Sequence, residues 1–319
     1  MEGYTYQAKK KNSNITASTP EILTTEKYLV WHIDGGLGKN IASTALCQTI
    51  KEIHPDRKLI MVVSHPECFL NNPFIDRVYF SGSKSYFYDD YIKDKDTLFF
   101  KQEPYNQTDH ILRKKHLINN WCDILNIPYT GQQPQIFVNM AQKMTTGLWL
   151  RNKPTMVLQT NGGPLTGQKY GYSWARDIPY EYSQQIVDQY KNDYHIFQVT
   201  RPDSQKLDGV EVVDKAMTNM ELFAMLVGAK KRVLIDSCMQ HAAAAFKLPA
   251  TVLWIGTSPV VFGYNLHNNI VANPPKNNVK LIDSYMFDYN LDGVLHECPY
   301  LDASEMFNIN DIYNNINKQ

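Results

Sequence analysis

Apolar positions along the chain come in two rhythms, and the rhythms alternate. Short unbroken runs, "YLVWHI" (28–33), "KLIMVVS" (58–64), "DRVYF" (76–80) and "DTLFF" (96–100), read as buried strands. Between them lie segments with apolar residues at helical spacing. In 39–53 these are Ile41, Ala45, Leu46, Ile50 and Ile53. Residues 110–127, "HILRKKHLINNWCDILNI", predict a second amphipathic helix closed by Pro128. Strand, helix and strand in repetition imply right-handed crossovers and a parallel sheet.

The rhythm restarts after a linker near 140–153. Strands are expected at 155–160, 194–200, 232–237 and 250–256, and helices at 179–192, 219–231 and 239–248. Pro179 suits the first turn of its helix. A last helix is expected over 308–317, with Asn310 as its N-cap. The division that follows is a polar tail at 1–24, a first α/β domain at 25–145, a second at 150–300, and a closing helix in 301–319 expected to pack back on the first. Ligands of open α/β sheets bind beyond the carboxyl ends of the strands, so a site is expected in the cleft between the halves.

Composition adds little but excludes some classes. Of 319 residues, 43% are hydrophobic and 20% charged, ordinary for a globular protein, and the length suits two domains. Lys+Arg and Asp+Glu are both 32, so the whole-chain charge does not favour a purely electrostatic nucleic-acid binder. The five cysteines form no CxxC pair and read as reduced thiols, which suggests the cytoplasm. No apolar run is long enough for a membrane-spanning helix. The tail, with Lys9, Lys10 and Lys11, reads as solvated. So does "RKKH" (113–116), although a cleft-facing position there would favour an anionic acceptor.

Two stretches could carry chemistry. In "IDGGLGKN" (33–40), Gly35, Gly36 and Gly38 stand between a strand and a helix, where backbone N–H groups can meet an anion at close range. A tight turn with no ligand explains the same residues. In "IDSCMQHAAAAF" (235–246), a strand ends at Asp236 and a small-residue helix begins near Met239. Its N–H groups would face a phosphate, with the Ser237 hydroxyl and His241 nearby. The plain alternative is Asp236 as a helix cap and His241 as a satisfied polar residue.

Four stretches together resemble the heptosyltransferase-type glycosyltransferases: the opening from Gly35 through "NNPFIDRVYF", the "WARDIP" helix start, the segment from "MELFAMLVGA" to "LWIGTSP", and the closing "SEMFNINDIYNNI". The resemblance runs in order from about 28 to 317. It implies a GT-B fold of two Rossmann-like doubly wound domains, and transfer of a sugar from a nucleotide-diphosphate sugar to an acceptor hydroxyl. That transfer would be inverting, with no metal and no resident cofactor, and the nucleotide sugar would be the co-substrate. It further implies a donor site made by Thr160, Asn161, Arg176, Asp236, Ser237, Cys238, Met239 and His241, with Arg176 in place of the family's phosphate-neutralising lysine. The acceptor implied is a surface saccharide of lipopolysaccharide type. A hydroxymethylated DNA base and a binding protein without turnover are the alternatives.

One position departs from the pattern. Lys39 follows the last glycine, where the family carries the aspartate that takes the acceptor's proton. A protonated lysine cannot do this. Asp34 or His65, both at strand carboxyl ends, could supply the base, or Lys39 could bind an anionic acceptor or the donor diphosphate.

Overall fold

The computed structural model describes residues 26–139, 145–162, 174–202, 204–215, 217–276, 298 and 300–319. The tail at 1–24 and residues 163–173 lie outside these. Two sheets are present, and every strand pairing in both is parallel.

The first sheet is built from β1 (Lys27–Ile33), β2 (Lys58–Val63), β3 (Arg77–Phe80) and β4 (Asp96–Phe100), in the order β3-β2-β1-β4. Both central strands are buried almost throughout, which explains why they read as continuous rather than alternating runs. The second sheet has β5 (Thr155–Gln159), β6 (His195–Val199), β7 (Glu211–Val213), β8 (Lys231–Ile235), β9 (Thr251–Trp254) and β10 (Asn268–Val271), in the order β10-β9-β8-β5-β6-β7. The edge strands β7 and β10 were not foreseen; they are short, half-buried and carry no strong periodic signal.

This order fixes where a ligand can sit. In the first sheet the chain winds outward through β1, β2 and β3, then returns to β4 on the other side of β1. The reversal lies between β1 and β4. In the second sheet it lies between β5 and β8. At such a point the two loops leave in opposite directions and open a crevice beyond the strand ends. The four loops concerned begin at Asp34, Lys101, Thr160 and Asp236.

The halves share one apolar core. It passes from the first sheet into the second through Ile41 and Ala42 of α1 (Leu37–Ser43) and Met239, Ala242 and Ala243 of the helix Cys238–Ala245. These two helices pack directly against each other. Alanine at four consecutive positions, 242–245, removes the side-chain bulk that would hold them apart.

Three helix expectations change. The segment 39–53 is α1, a tighter turn at Thr44–Leu46, and α2 (Cys47–Ile53). The single helix expected over 110–127 is two, Thr108–Ile111 and Leu117–Leu125. Arg113 takes a left-handed conformation (φ 52°), and the His116 ring accepts the Ile118 N–H, so the second helix starts afresh with its own cap. Nor is "RKKH" simply solvated, since Arg113 donates to the Gly256 carbonyl of the second half (3.1 Å). The closing helix, Ile309–Asn317, is capped by Asn308 rather than Asn310. Among the described residues its hydrogen-bonded anchors lie in the second half rather than the first: Lys231 Nζ donates to Ile316 O (2.7 Å), Asn268 to Asn315 O (3.0 Å), and Tyr190 to Asn317 (2.9 Å). Among the described residues no helix is long and apolar enough to cross a membrane.

Candidate functional site

Between the two switch points lies a cleft of ≈ 260 Å³, lined by Gly38, Lys39, Tyr105, Arg176, Asp236, Ser237, Cys238, His241 and Phe262. Each half contributes one wall.

The wall from the second half is the amino end of the helix Cys238–Ala245. Ser237 caps it: its hydroxyl accepts the Met239 N–H (3.1 Å) and donates to Gln159 Oε1 (2.7 Å). Gln159 in turn donates to the Asn161 carbonyl (3.0 Å), which ties the ends of β5 and β8 together. Asp236 is buried beside Arg176. Burial raises its pKa and the guanidinium works against that rise. Burial also pushes the Cys238 thiol up to about 11, so it stays protonated at neutral pH and is no nucleophile. Burial takes the His241 pKa down to about 3. This neutral ring meets the Tyr264 hydroxyl at Nδ1 (2.7 Å). Burial likewise holds that hydroxyl in its protonated form. The hydrogen bond therefore joins two neutral groups.

The wall from the first half is the glycine turn. Gly35 has φ +100°, a region that side chains disfavour. Asn40, fully buried, donates to the carbonyls of both Gly35 (3.2 Å) and Gly36 (3.0 Å) and so fixes the turn from behind. At Gly38 an added Cβ would stand 2.9 Å from His241 Cδ2 and 3.4 Å from Cys238 Cα. This glycine is therefore required by the close approach of the facing helix. Lys39 points into the cleft. Its side chain is only 8% exposed, its ammonium lies 5.3 Å from the Tyr105 ring centroid, and it forms an ion pair with Glu103.

The sequence candidates thus separate into groups. Gly38, Lys39, Arg176, Asp236, Ser237, Cys238 and His241 meet at the cleft. Thr160 and Asn161 line a second cavity of ≈ 440 Å³ with Asp177 and Arg201, which form a buried ion pair (2.8 Å). Met239 is core, with only its backbone N–H at the helix end. Gly35 and Gly36 shape the turn without lining the cleft. Asp34 is 52% exposed and lies outside the cleft, held by His32 (2.8 Å) and Lys101 (3.4 Å). His65 sits where the halves touch, near Glu67 (3.4 Å) and the Asn219 amide (3.3 Å).

Sequence reasoning passed over Glu103, Tyr105 and Phe262. Their only available signal was position, since 101–106 is the loop after the strand that returns beside β1. Trp174, two residues before Arg176, is buried in the second apolar core. Among the described residues no group of three or more His, Cys, Asp or Glu side chains is placed to hold a metal ion.

No family model matches this sequence, and no curated protein does. Solved structures do. The glycosyl transferase family 9 protein of Veillonella parvula superposes with a TM-score of 0.61 at 12% identity, over 93% of this chain and 98% of that one. The E. coli ADP-heptose LPS heptosyltransferase II gives 0.54 at 11% identity, over 76% and 90%. The iron-containing dodecameric glycosyltransferase TibC from enterotoxigenic E. coli gives 0.56 at 13%, over 89% of this chain and 67% of that one. The fold is therefore that of the heptosyltransferase-type GT-B glycosyltransferases, two doubly wound parallel-sheet domains, as the sequence resemblance implied.

Proposed function

We propose that this protein is a glycosyltransferase that moves a sugar from a nucleotide-diphosphate sugar to an acceptor hydroxyl, with the diphosphate in the cleft between the sheets. The observation that carries this reading is the convergence of Arg176 and the amino end of the helix Cys238–Ala245 on one cavity wall at a switch point. An arginine binds phosphate oxygens in a fork, and a helix amino end offers N–H groups and a positive dipole. Both stabilise a diphosphate most as its charge grows during departure, so they serve the transition state. They supply that stabilisation from the protein itself, which supports transfer without a metal. Thr160 and Asn161, at the end of the neighbouring strand β5, bring the second cavity into the proposed donor site.

The first-half wall presents the acceptor. Its cation at the cleft, Lys39, is matched by the carboxylate of Glu103. A wall so compensated suits an uncharged saccharide hydroxyl better than a polyanion. Attack from this wall, opposite the departing diphosphate, inverts the anomeric centre. ADP-heptose is the first donor to try, because the heptosyltransferase II that shares the fold is named for it.

The test is a panel of ADP-, UDP-, GDP- and dTDP-sugars, with and without lipopolysaccharide acceptors, followed by nucleoside diphosphate release. Release with one donor, together with a mass increase of one sugar on the acceptor, is the expected result. Tight nucleotide binding with no release from any donor would instead identify a binding protein on this scaffold.

A further inference from the structure

The position after the glycine turn holds a lysine, so the proton of the acceptor hydroxyl needs another destination. Loops 34–39 and 101–106 leave the carboxyl ends of adjacent strands at the first-sheet switch point. They run side by side and exchange two ion pairs, Lys101 with Asp34 and Lys39 with Glu103. Only the second pair reaches the cleft, through Lys39.

We propose that Glu103 is the general base of the transfer, and that Lys39 and the Tyr105 backbone N–H hold its carboxylate at the acceptor side of the cleft. This rests on the glycosyltransferase reading above. Glu103 Oε2 pairs with Lys39, and Oε1 accepts the Tyr105 N–H (3.4 Å). Each carboxylate oxygen keeps a further lone pair. The side chain is 36% exposed, so a hydroxyl can reach it, whereas Lys39 is nearly covered. Arg176 and the helix amino end lie on the opposite wall, which places base and leaving group on opposite sides of the sugar.

Other candidates fit less well. Asp34 lies outside the cleft, paired with His32 and Lys101. His65 is held between Glu67 and Asn219. Asp236 is buried on the donor wall beside Arg176. In the step, the acceptor oxygen forms the new bond to the anomeric carbon while its proton passes to a Glu103 oxygen. The bond from that carbon to the diphosphate oxygen breaks, and its electron pair leaves with the nucleoside diphosphate. The resulting carboxylic acid then loses its proton to solvent.

The experiment compares the wild type with Glu103→Gln, Glu103→Asp and Asp34→Asn. ADP affinity is measured by calorimetry, and nucleoside diphosphate release from ADP-heptose, or from the fastest donor of the panel, is followed at pH 7.5. Loss of a general base costs about 100- to 10,000-fold in rate. Glu103→Gln is expected to lose at least ~100-fold in rate. Its ADP affinity is expected to stay within about threefold of the wild type, which would also show that it folds. Glu103→Asp keeps a carboxylate and should turn over faster than Glu103→Gln. Glu103→Gln turnover within about tenfold of the wild type would overturn the assignment. So would a rate loss of ~100-fold or more in Asp34→Asn with Glu103→Gln unaffected. A wild type that binds ADP but turns over no donor also overturns it, since there would be no reaction for a base to serve. A wild type that binds no nucleotide refutes the donor site itself, and the proposal falls with it.

Discussion

At the scale of single residues, the cleft depends on a few charges. Arg176 is the cation of the donor wall. Hydrogen bonds to charged groups contribute about 1.5–3 kcal/mol each, and 1.4 kcal/mol is about tenfold in affinity. Arg176→Ala should therefore weaken ADP binding by about ten- to a hundredfold, read by calorimetry. An unchanged affinity would remove the guanidinium from the donor site. Several of these residues were legible in the sequence because they sit at fixed offsets in a stretch of low complexity: Asp236, Ser237, Cys238 and His241 around the start of an alanine helix. Lys39 was legible as an anomaly. Its partner Glu103 was not, because the two are 64 positions apart and only the return of β4 beside β1 brings them together.

At the scale of elements, the site is held by two helices whose amino ends approach across the halves. The glycine turn reads in sequence as room for a ligand. In the structure, Gly38 instead makes room for Cys238 and His241, which a pattern of glycines alone cannot reveal. Gly38→Ala tests this contact. Alanine gains up to about 1 kcal/mol of helix propensity over glycine. Overpacking against a ring fixed by Tyr264 and a helix backbone costs about 1–3 kcal/mol. The net expectation is a loss of about 1 kcal/mol in urea unfolding, with a weaker hold between the halves. A variant as stable as the wild type or more so would mean the helices stand further apart. Long buried strands were well marked by their apolar runs. The split of 110–127 was hidden because its apolar spacing continues across the left-handed residue at Arg113.

At the scale of the molecule, the halves meet around neutral histidines. His110 and His116 come from the first half, and His241 and His267 from the second, gathered about Phe262 and Tyr264. Burial lowers their pKa values to about 4, 4, 3 and 4 in that order. In the unfolded chain each would titrate near 6.5. Between these values the unfolded state binds more protons, so stability rises with pH across that window. It is fully present above about pH 6.5 and drains away as pH falls toward 4, by on the order of 1–2 kcal/mol per histidine at pH 5. Thermal melts should be nearly flat from pH 7 to 8 and drop steeply between 6.5 and 4.5. A melting temperature constant down to pH 5 would contradict the neutral cluster.

Two parallel sheets and a cleft beyond their strand ends were foreseeable from the alternation of runs. The strand orders were not, since the edge strands β7 and β10 carry no strong signal. Which residues face each other across the cleft was not, since that depends on how the halves meet. The most direct test is a crystal structure with ADP bound. Its diphosphate should rest at the amino end of the helix Cys238–Ala245, within hydrogen-bond distance of Arg176 and facing the Lys39–Glu103 pair. A nucleotide bound anywhere else, with this cleft closed by Gly38 against His241, would contradict the account.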